Sequence, residues 1–241
     1  MNKNLKVLAL TLSVLSILSV NSYASTIPSP MTFEEKQNFI ESNPLPESQK
    51  NLLSEKRALA DDYYSTRTKQ KSWGGSKTNP VGTNTQSSSF YCGPASAQNL
   101  IQGYVSNFGG NVPTQLTLSN DLLTVSGGTP FGPGATWAPT LNKYAPGNNY
   151  VMEWISTQYG VESNIIWTID KSYNVILDIN HDNTNPYPIH PQYANGIGHY
   201  VTIYGYNDSN KTCSISDSNG PTRKYTTGFK NAYYSGMGMV W

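Results

Sequence analysis

The stretch S-S-F-Y-C-G-P-A-S-A-Q-N-L, residues 87 to 99, sets a cysteine between an aromatic residue and a Gly-Pro pair. From there Ala95, Leu100, Ile101, Tyr104, Val105 and Phe108 recur at near-helical spacing until Gly109-Gly110 ends the run. This predicts a buried helix of about four turns. Cys92 falls at its first turn, where unpaired N–H groups and the helix dipole favour negative charge. Gly93 allows close backbone approach, and Pro94 is tolerated early because no donor is needed there. A thiolate so placed is a nucleophile. Cys213 is the only other cysteine, and a Cys92–Cys213 disulfide is the competing reading in an oxidising compartment.

That compartment is read from the other end of the chain. Lys3 and Lys6 precede an apolar run from Val7 to Val20, and Ser22 and Ala24 are small residues suited to cleavage. The pattern is that of a signal peptide over 1–24, with a run too short to span a bilayer comfortably. The expected mature protein, 25–241, is therefore secreted and off the membrane. It carries 14 basic and 15 acidic residues, a balance that argues against nucleic acid as a partner.

The charges are uneven. Residues 25–78 hold 8 Lys/Arg and 7 Asp/Glu, whereas 79–241 hold only 6 and 8. This break predicts a charged helical pro-segment, spacer or domain-decorating arm over 25–78, followed by one domain over 79–241. In the arm, Thr32 and Glu35 fit a capping box. Ser48 suits the cap of a second helix with Leu52, Leu53 and Leu59 on one side. In the domain, 116–123, 135–144 and V-M-E-W-I-S-T-Q-Y (151–159) read as short helical pieces. N-I-I-W-T-I (164–169), Y-N-V-I-L-D-I-N, G-H-Y-V-T-I-Y-G-Y, T-C-S-I-S-D-S and G-M-G-M-V-W read as strands, and F-K-N-A-Y-Y as a helical turn. Helices first and strands after predict an α+β fold on a mostly antiparallel sheet.

A cysteine nucleophile needs a base, and there are three histidines. His199 opens an alternating strand behind a glycine. His181 and His190 lie in Asn/Pro-rich sequence and read as surface residues. Asp217 ends the next strand and would orient the imidazole of His199 if the two strands pair; its alternative is to cap a D-S-N-G turn. The oxyanion of a tetrahedral intermediate needs donors, for which the Cys92 N–H and the Gln86 side chain are the candidates.

The order Q-x5-C-G-P-A-S, then G-H-Y-V-T-I-Y-G-Y, then D-S-N-G resembles papain-like cysteine peptidases. It is most similar to bacteriocin-processing, double-glycine-leader peptidases and their secreted bacterial relatives, over about residues 84–241. The resemblance implies a papain-like fold with Cys92 as nucleophile, His199 as base, Asp217 as orienter and Gln86 in the oxyanion hole. It also implies a peptide or protein substrate. Two departures stand out. The leader peptidases proper are fused to membrane transporters and act inside the cell, and the Asp-Pro of the family is Asp217-Ser218 here. A cell-wall amidase or acyl transferase on the same fold, or an inactive binding module, are the alternative readings. No metal-ligand spacing, phosphate loop or dinucleotide fingerprint is present, so no cofactor is expected.

Overall fold

The computed structural model describes residues 29–69, 75–219 and 223–241. The expected signal peptide lies outside them. In chain order the elements are α1 (Phe33–Ser42), α2 (Glu47–Lys69), β1 (Ser76–Thr78), α3 (Cys92–Phe108), α4 (Gln115–Asp121) and α5 (Trp137–Tyr144). Then come β2 (Met152–Trp154), α6 (Gln158–Asp170), β3 (Val175–Asp182), β4 (Gly196–Asn207), β5 (Thr212–Asp217), β6 (Lys224–Gly228), α7 (Phe229–Ser235) and β7 (Gly236–Val240). The strands pair antiparallel in the order β2-β7-β3-β4-β5-β6, and β1 pairs with the far half of β4. The fold is α+β, as expected from the sequence. The sheet takes in Ser76–Thr78, three residues ahead of the boundary drawn from composition.

Two apolar cores flank the sheet. One gathers Val161, Ile165, Ile166 and Ile169 of α6 and Phe229 of α7 over Leu177, Ile179, Val201, Ile203 and Ile215. The other gathers Leu100 and Ile101 of α3, Leu118 of α4, and Trp137 and Leu141 of α5 over Ile176, Tyr200 and Val240.

A bulge in β4 decides which residues share a face. Asn207, Tyr206 and Gly205 pair with Thr212, Cys213 and Ser214, but Ile203 pairs with Ile215 and Val201 with Asp217, so β4 holds one extra residue between Ile203 and Gly205. Opposed residues point to the same side, and a one-residue shift exchanges the faces. The bulge lets Tyr206, Ile203 and Val201 all join the core that holds Cys213 and Ile215. It also turns Asp217 to the face of Val201 and His199 rather than that of Thr202.

Two expected elements differ. Residues 151–159 form β2 and the entry to α6 rather than a helix, and N-I-I-W-T-I lies inside α6 rather than in a strand. Residues 160–169 are buried on every side. A helix buried all round carries no polar stripe, and its Ile, Trp and Thr content imitates a strand. The N-cap signal was nevertheless present: Thr157 Oγ1 accepts the Gly160 N–H at 3.0 Å. His181, expected at the surface, is buried in β3, and His190 is half-buried.

The arm is docked. The α1 capping box forms as expected, Thr32 Oγ1 accepting from the Glu35 N–H and Glu35 accepting from the Thr32 N–H. Helix α2 begins at Glu47, and it does not dock through the leucine side. Leu52 and Leu59 are 60% and 63% exposed, whereas Lys56, Ala60 and Tyr64 are buried and Leu53 partly so. The docked face is largely polar. Lys56 Nζ donates to the carbonyls of Asn149 and Trp241, Arg57 pairs with Glu153, and Tyr64 donates to Glu162 at 3.0 Å. Apolar periodicity cannot register a face built this way.

The contrast is measurable in thermal melts. Ala60→Leu forces extra methylenes into the packed side of α2 and is expected to cost about 1–3 kcal/mol. Leu59→Ala is expected to stay within about 0.5 kcal/mol. The reverse pattern would place the leucines in the interface instead.

Candidate active site

Helix α3 starts at Cys92, and no side chain caps it. Pro94 has no N–H to offer, so the Cys92 and Gly93 donors are what the first turn presents before Ala95 bonds back to the Tyr91 carbonyl at 2.9 Å. Gly93 is needed where it stands: a Cβ there would lie 2.1 Å from Thr129 Oγ1. The helix is fixed against β4 by a reciprocal pair. Ser96 Oγ donates to the Tyr200 carbonyl and Thr202 Oγ1 donates to the Ser96 carbonyl, each at 2.8 Å and buried. One end of that clamp lies one turn after Cys92, and the other begins one residue after His199.

On the sheet, Asp217 opposes Val201, so His199 is its diagonal neighbour on the same face. His199 Nε2 lies 2.8 Å from Asp217 Oδ1, which leaves Nδ1 free of that bond, and Cys92 is near enough to interact with the imidazole. All three residues are buried, Cys92 being 5% exposed, His199 3% and Asp217 0%. Asp217 also accepts from the Tyr193 hydroxyl at 2.7 Å, the Asn219 N–H at 2.8 Å and the Tyr225 hydroxyl at 3.3 Å. Neither tyrosine was singled out in the sequence. Each is one of 17, and only the fold distinguishes it from tyrosines that pack strands.

The electrostatics follow from these bonds. Burial alone would lower the His199 pKa, but its interactions with Asp217 and Cys92 outweigh that and raise it to about 9. Burial would raise Asp217, and its bond and charge interaction with His199 instead hold it below the ordinary carboxylate value. Cys213 is different in kind. It lies free in the other core, and burial pushes its thiol up to about 12. No disulfide joins it to Cys92.

The structure thus brings Cys92, His199 and Asp217 together. Gln86 lies in a loop tied to the same end of β5 by its N–H to the Ser218 carbonyl at 3.1 Å. Its amide nitrogen donates to the carbonyls of Ser88 and Ser89 at 3.2 and 3.1 Å, so the donor expected for an oxyanion is engaged within its own loop. His181 stands apart from the three, with Nδ1 at the Asp182 carbonyl. Among the described residues no group of three or more His, Cys, Asp or Glu could hold a metal ion, and no helix is long and apolar enough to cross a membrane.

A buried thiol on a helix start, beside an imidazole that a carboxylate holds from behind, has the parts for nucleophilic acyl transfer. The family agrees with that chemistry. Residues 76–240 match the model described as the Peptidase_C39 like family, and the chain belongs to it; the resemblance read from the motifs is borne out, and the fold is that of papain-like C39 peptidase domains. Among solved structures, the chain is similar to the peptidase domain of Streptococcus ComA, a bi-functional ABC transporter involved in a quorum sensing pathway. The identity is 15% and the TM-score 0.42, over 66% of this chain and 94% of that one. It is similar also to a protein described as a C39-like peptidase from Bacillus anthracis, at 13% identity and TM-score 0.44, over 68% and 96%. No curated protein matches.

The sign of the pH dependence is fixed by the directions above. His199, raised above its ordinary 6.5, contributes stability that is complete below that value and is lost as pH climbs through about 9. Asp217, depressed below 3.8, contributes stability present above that value and lost as pH falls through its folded pKa. A histidine titration by NMR is expected to show His199 ionising near pH 9, and Asp217→Asn to bring it down. An unmoved midpoint in Asp217→Asn would mean that the carboxylate does not hold the imidazolium.

Proposed function

We propose that the protein is an exported cysteine peptidase in which Cys92, His199 and Asp217 act as nucleophile, acid–base and orienter. The observation that carries this is His199, buried, bonded to Asp217 and interacting with Cys92 at the start of α3. The export half rests on the charge and hydropathy pattern of residues 1–24.

In this reading the proton of the Cys92 thiol rests on His199, and Asp217 stabilises the imidazolium. The thiolate attacks the peptide carbonyl carbon, and the carbonyl electron pair moves onto oxygen, which faces the Cys92 N–H. As the tetrahedral intermediate collapses, the C–N bond breaks and His199 protonates the leaving amine. His199 then takes a proton from water as the water oxygen attacks the thioester. Collapse of the second intermediate releases the carboxylic acid, and the proton returns to the Cys92–His199 pair. Gln86 is the second oxyanion donor in this scheme, with its amide turned from the Ser88 and Ser89 carbonyls toward the intermediate. We read the 25–78 arm as a pro-segment, since in its described part Met31, Phe39 and Ile40 pack on the cluster that contains Cys92.

The first experiment is iodoacetamide alkylation of the folded protein across pH 4 to 9, with sites mapped by mass. Cys92 is expected to react in preference to Cys213, and His199→Ala to slow that reaction. Alkylation of Cys92 that is indifferent to His199 would sink the reading. In peptide hydrolysis, His199→Ala is expected to cost about 10²–10⁴-fold, and Gln86→Ala about 10²–10³ in kcat. Wild-type kcat in Gln86→Ala would leave the oxyanion to backbone donors alone. The precursor is expected to be less active than a form beginning near residue 75, and equal activity would remove the pro-segment role.

A further inference from the structure

Lys36 of α1 is only 1% exposed. Its ammonium donates to three main-chain carbonyls where α7 meets β7: Gly236 at 2.7 Å, Tyr234 at 3.0 Å and Tyr233 at 3.3 Å. Asp178 of β3 lies near enough for its charge state to influence the ammonium, though it forms no ion pair with it. Its carboxyl group is buried, 4% exposed, and burial pushes its pKa up to about 8. A primary ammonium has three donors, and this cage offers three acceptors. Every wall of the cage lies within the family domain, 76–240, whereas its occupant comes from the arm outside it.

The cage adjoins the candidate active site. Asp178 opposes Tyr200 across β3 and β4, and the next pair is Ile179 with His199; the charges of Asp178 and His199 interact. Ahead of α1, Met31 lies along the end of β3, its N–H donating to Asn180 Oδ1 at 3.0 Å and its carbonyl accepting the Asp182 N–H at 3.0 Å. Asn180 opposes Gly198, the residue before His199. An extended backbone, followed by a lysine buried beside the reacting groups, is what a bound peptide would present there.

We infer that the Tyr233–Tyr234–Gly236 carbonyls and Asp178 form a substrate-specificity site for a lysine side chain, which Lys36 of the arm fills in the substrate's place. This rests on the peptidase reading above and adds the substrate class: peptides with a lysine near the scissile bond. With the arm withdrawn, the three carbonyls are left to be satisfied by water or by a new ammonium, beside the buried Asp178. A neutral side chain of the same length leaves them unpaired, and such a mismatch discriminates strongly.

The test uses the full chain carrying Lys36→Ala, alone and with Asp178→Asn. n-Butylammonium is expected to refill the vacated cage of Lys36→Ala, raising its melting temperature and slowing Cys92 alkylation back toward the wild-type rate. n-Butanol is expected to do neither, and the double variant to lose the response. Against peptides that exchange one lysine for norleucine at successive positions, Lys36→Ala is expected to prefer lysine at one position by about tenfold or more, and Asp178→Asn to abolish that preference. Equal cleavage of lysine and norleucine peptides at every position, or a preference that survives Asp178→Asn, overturns the inference while the peptidase reading stands. If Cys92 proves inert in every variant, the peptidase reading fails instead, and the melting response to butylammonium still reports on the cage. Should Lys36→Ala fail to fold by circular dichroism, Lys36→Met is assayed with the same peptides.

Discussion

The single extra residue in β4 between Ile203 and Gly205 is the constraint on which the site depends. Without it, β5 would pair with β4 one residue out of step, and Asp217 would oppose Thr202 on the side of the sheet that carries α3. Its carboxylate would then lie across the sheet from His199. The same shift would place Tyr206, Cys213 and Ile215 on the opposite side from Ile203 and Val201, splitting a core that buries all five. Core packing and the histidine–carboxylate pair therefore require the same register, and the free energy of the first enforces the second.

Position then propagates from β4 in two directions. Toward β5 it sets the diagonal contact of His199 with Asp217. Toward α3 it runs through the Ser96–Tyr200 and Thr202–Ser96 bonds, which fix the helix start to within one turn. The thiol and the imidazole thus come from opposite sides of one strand and meet at its end. Asp217 can remain ionised there despite full burial because four donors converge on it, two of them tyrosine hydroxyls that need no charge of their own.

Much of this was legible in the residues. The helix after Cys92, the strand that opens at His199 and the strand that ends at Asp217 each carry their own period and turn signals. So do the capping box at Thr32 and the stop at Gly109. What escaped was long-range. Residues 151–155 and 160–169 lie in the interior, where a strand and a buried helix have the same composition, and only the Thr157 cap separates them. Tyr193 and Tyr225 could not be told from their neighbours until the sheet brought them to Asp217. The docked face of α2 left no apolar signal, because Lys56, Arg57 and Tyr64 do there what leucines do elsewhere. Asp178 did leave a trace, as the lone acid inside the run V-I-L-D-I-N.

That polar mode of docking bears on what the arm can be. An interface of leucines is held by an effect that depends on area alone, and nothing in the partner surface remains unsatisfied when it opens. The arm instead inserts Lys36 and Lys56 into carbonyl-lined sites where burial, the larger influence on each, brings their pKa values down to about 7. Burying an ammonium is costly unless all its donors are met, so each site must match a lysine closely or reject it. Such contacts contribute less net free energy than apolar ones of equal area, but they discriminate more sharply. A segment that only completes a core has little need of such discrimination. A segment that holds a recognition site until something of the same chemistry competes for it depends on it. On the proposed reading, the polarity that hid the arm's docked face from the hydrophobic pattern is the property that lets a substrate replace it.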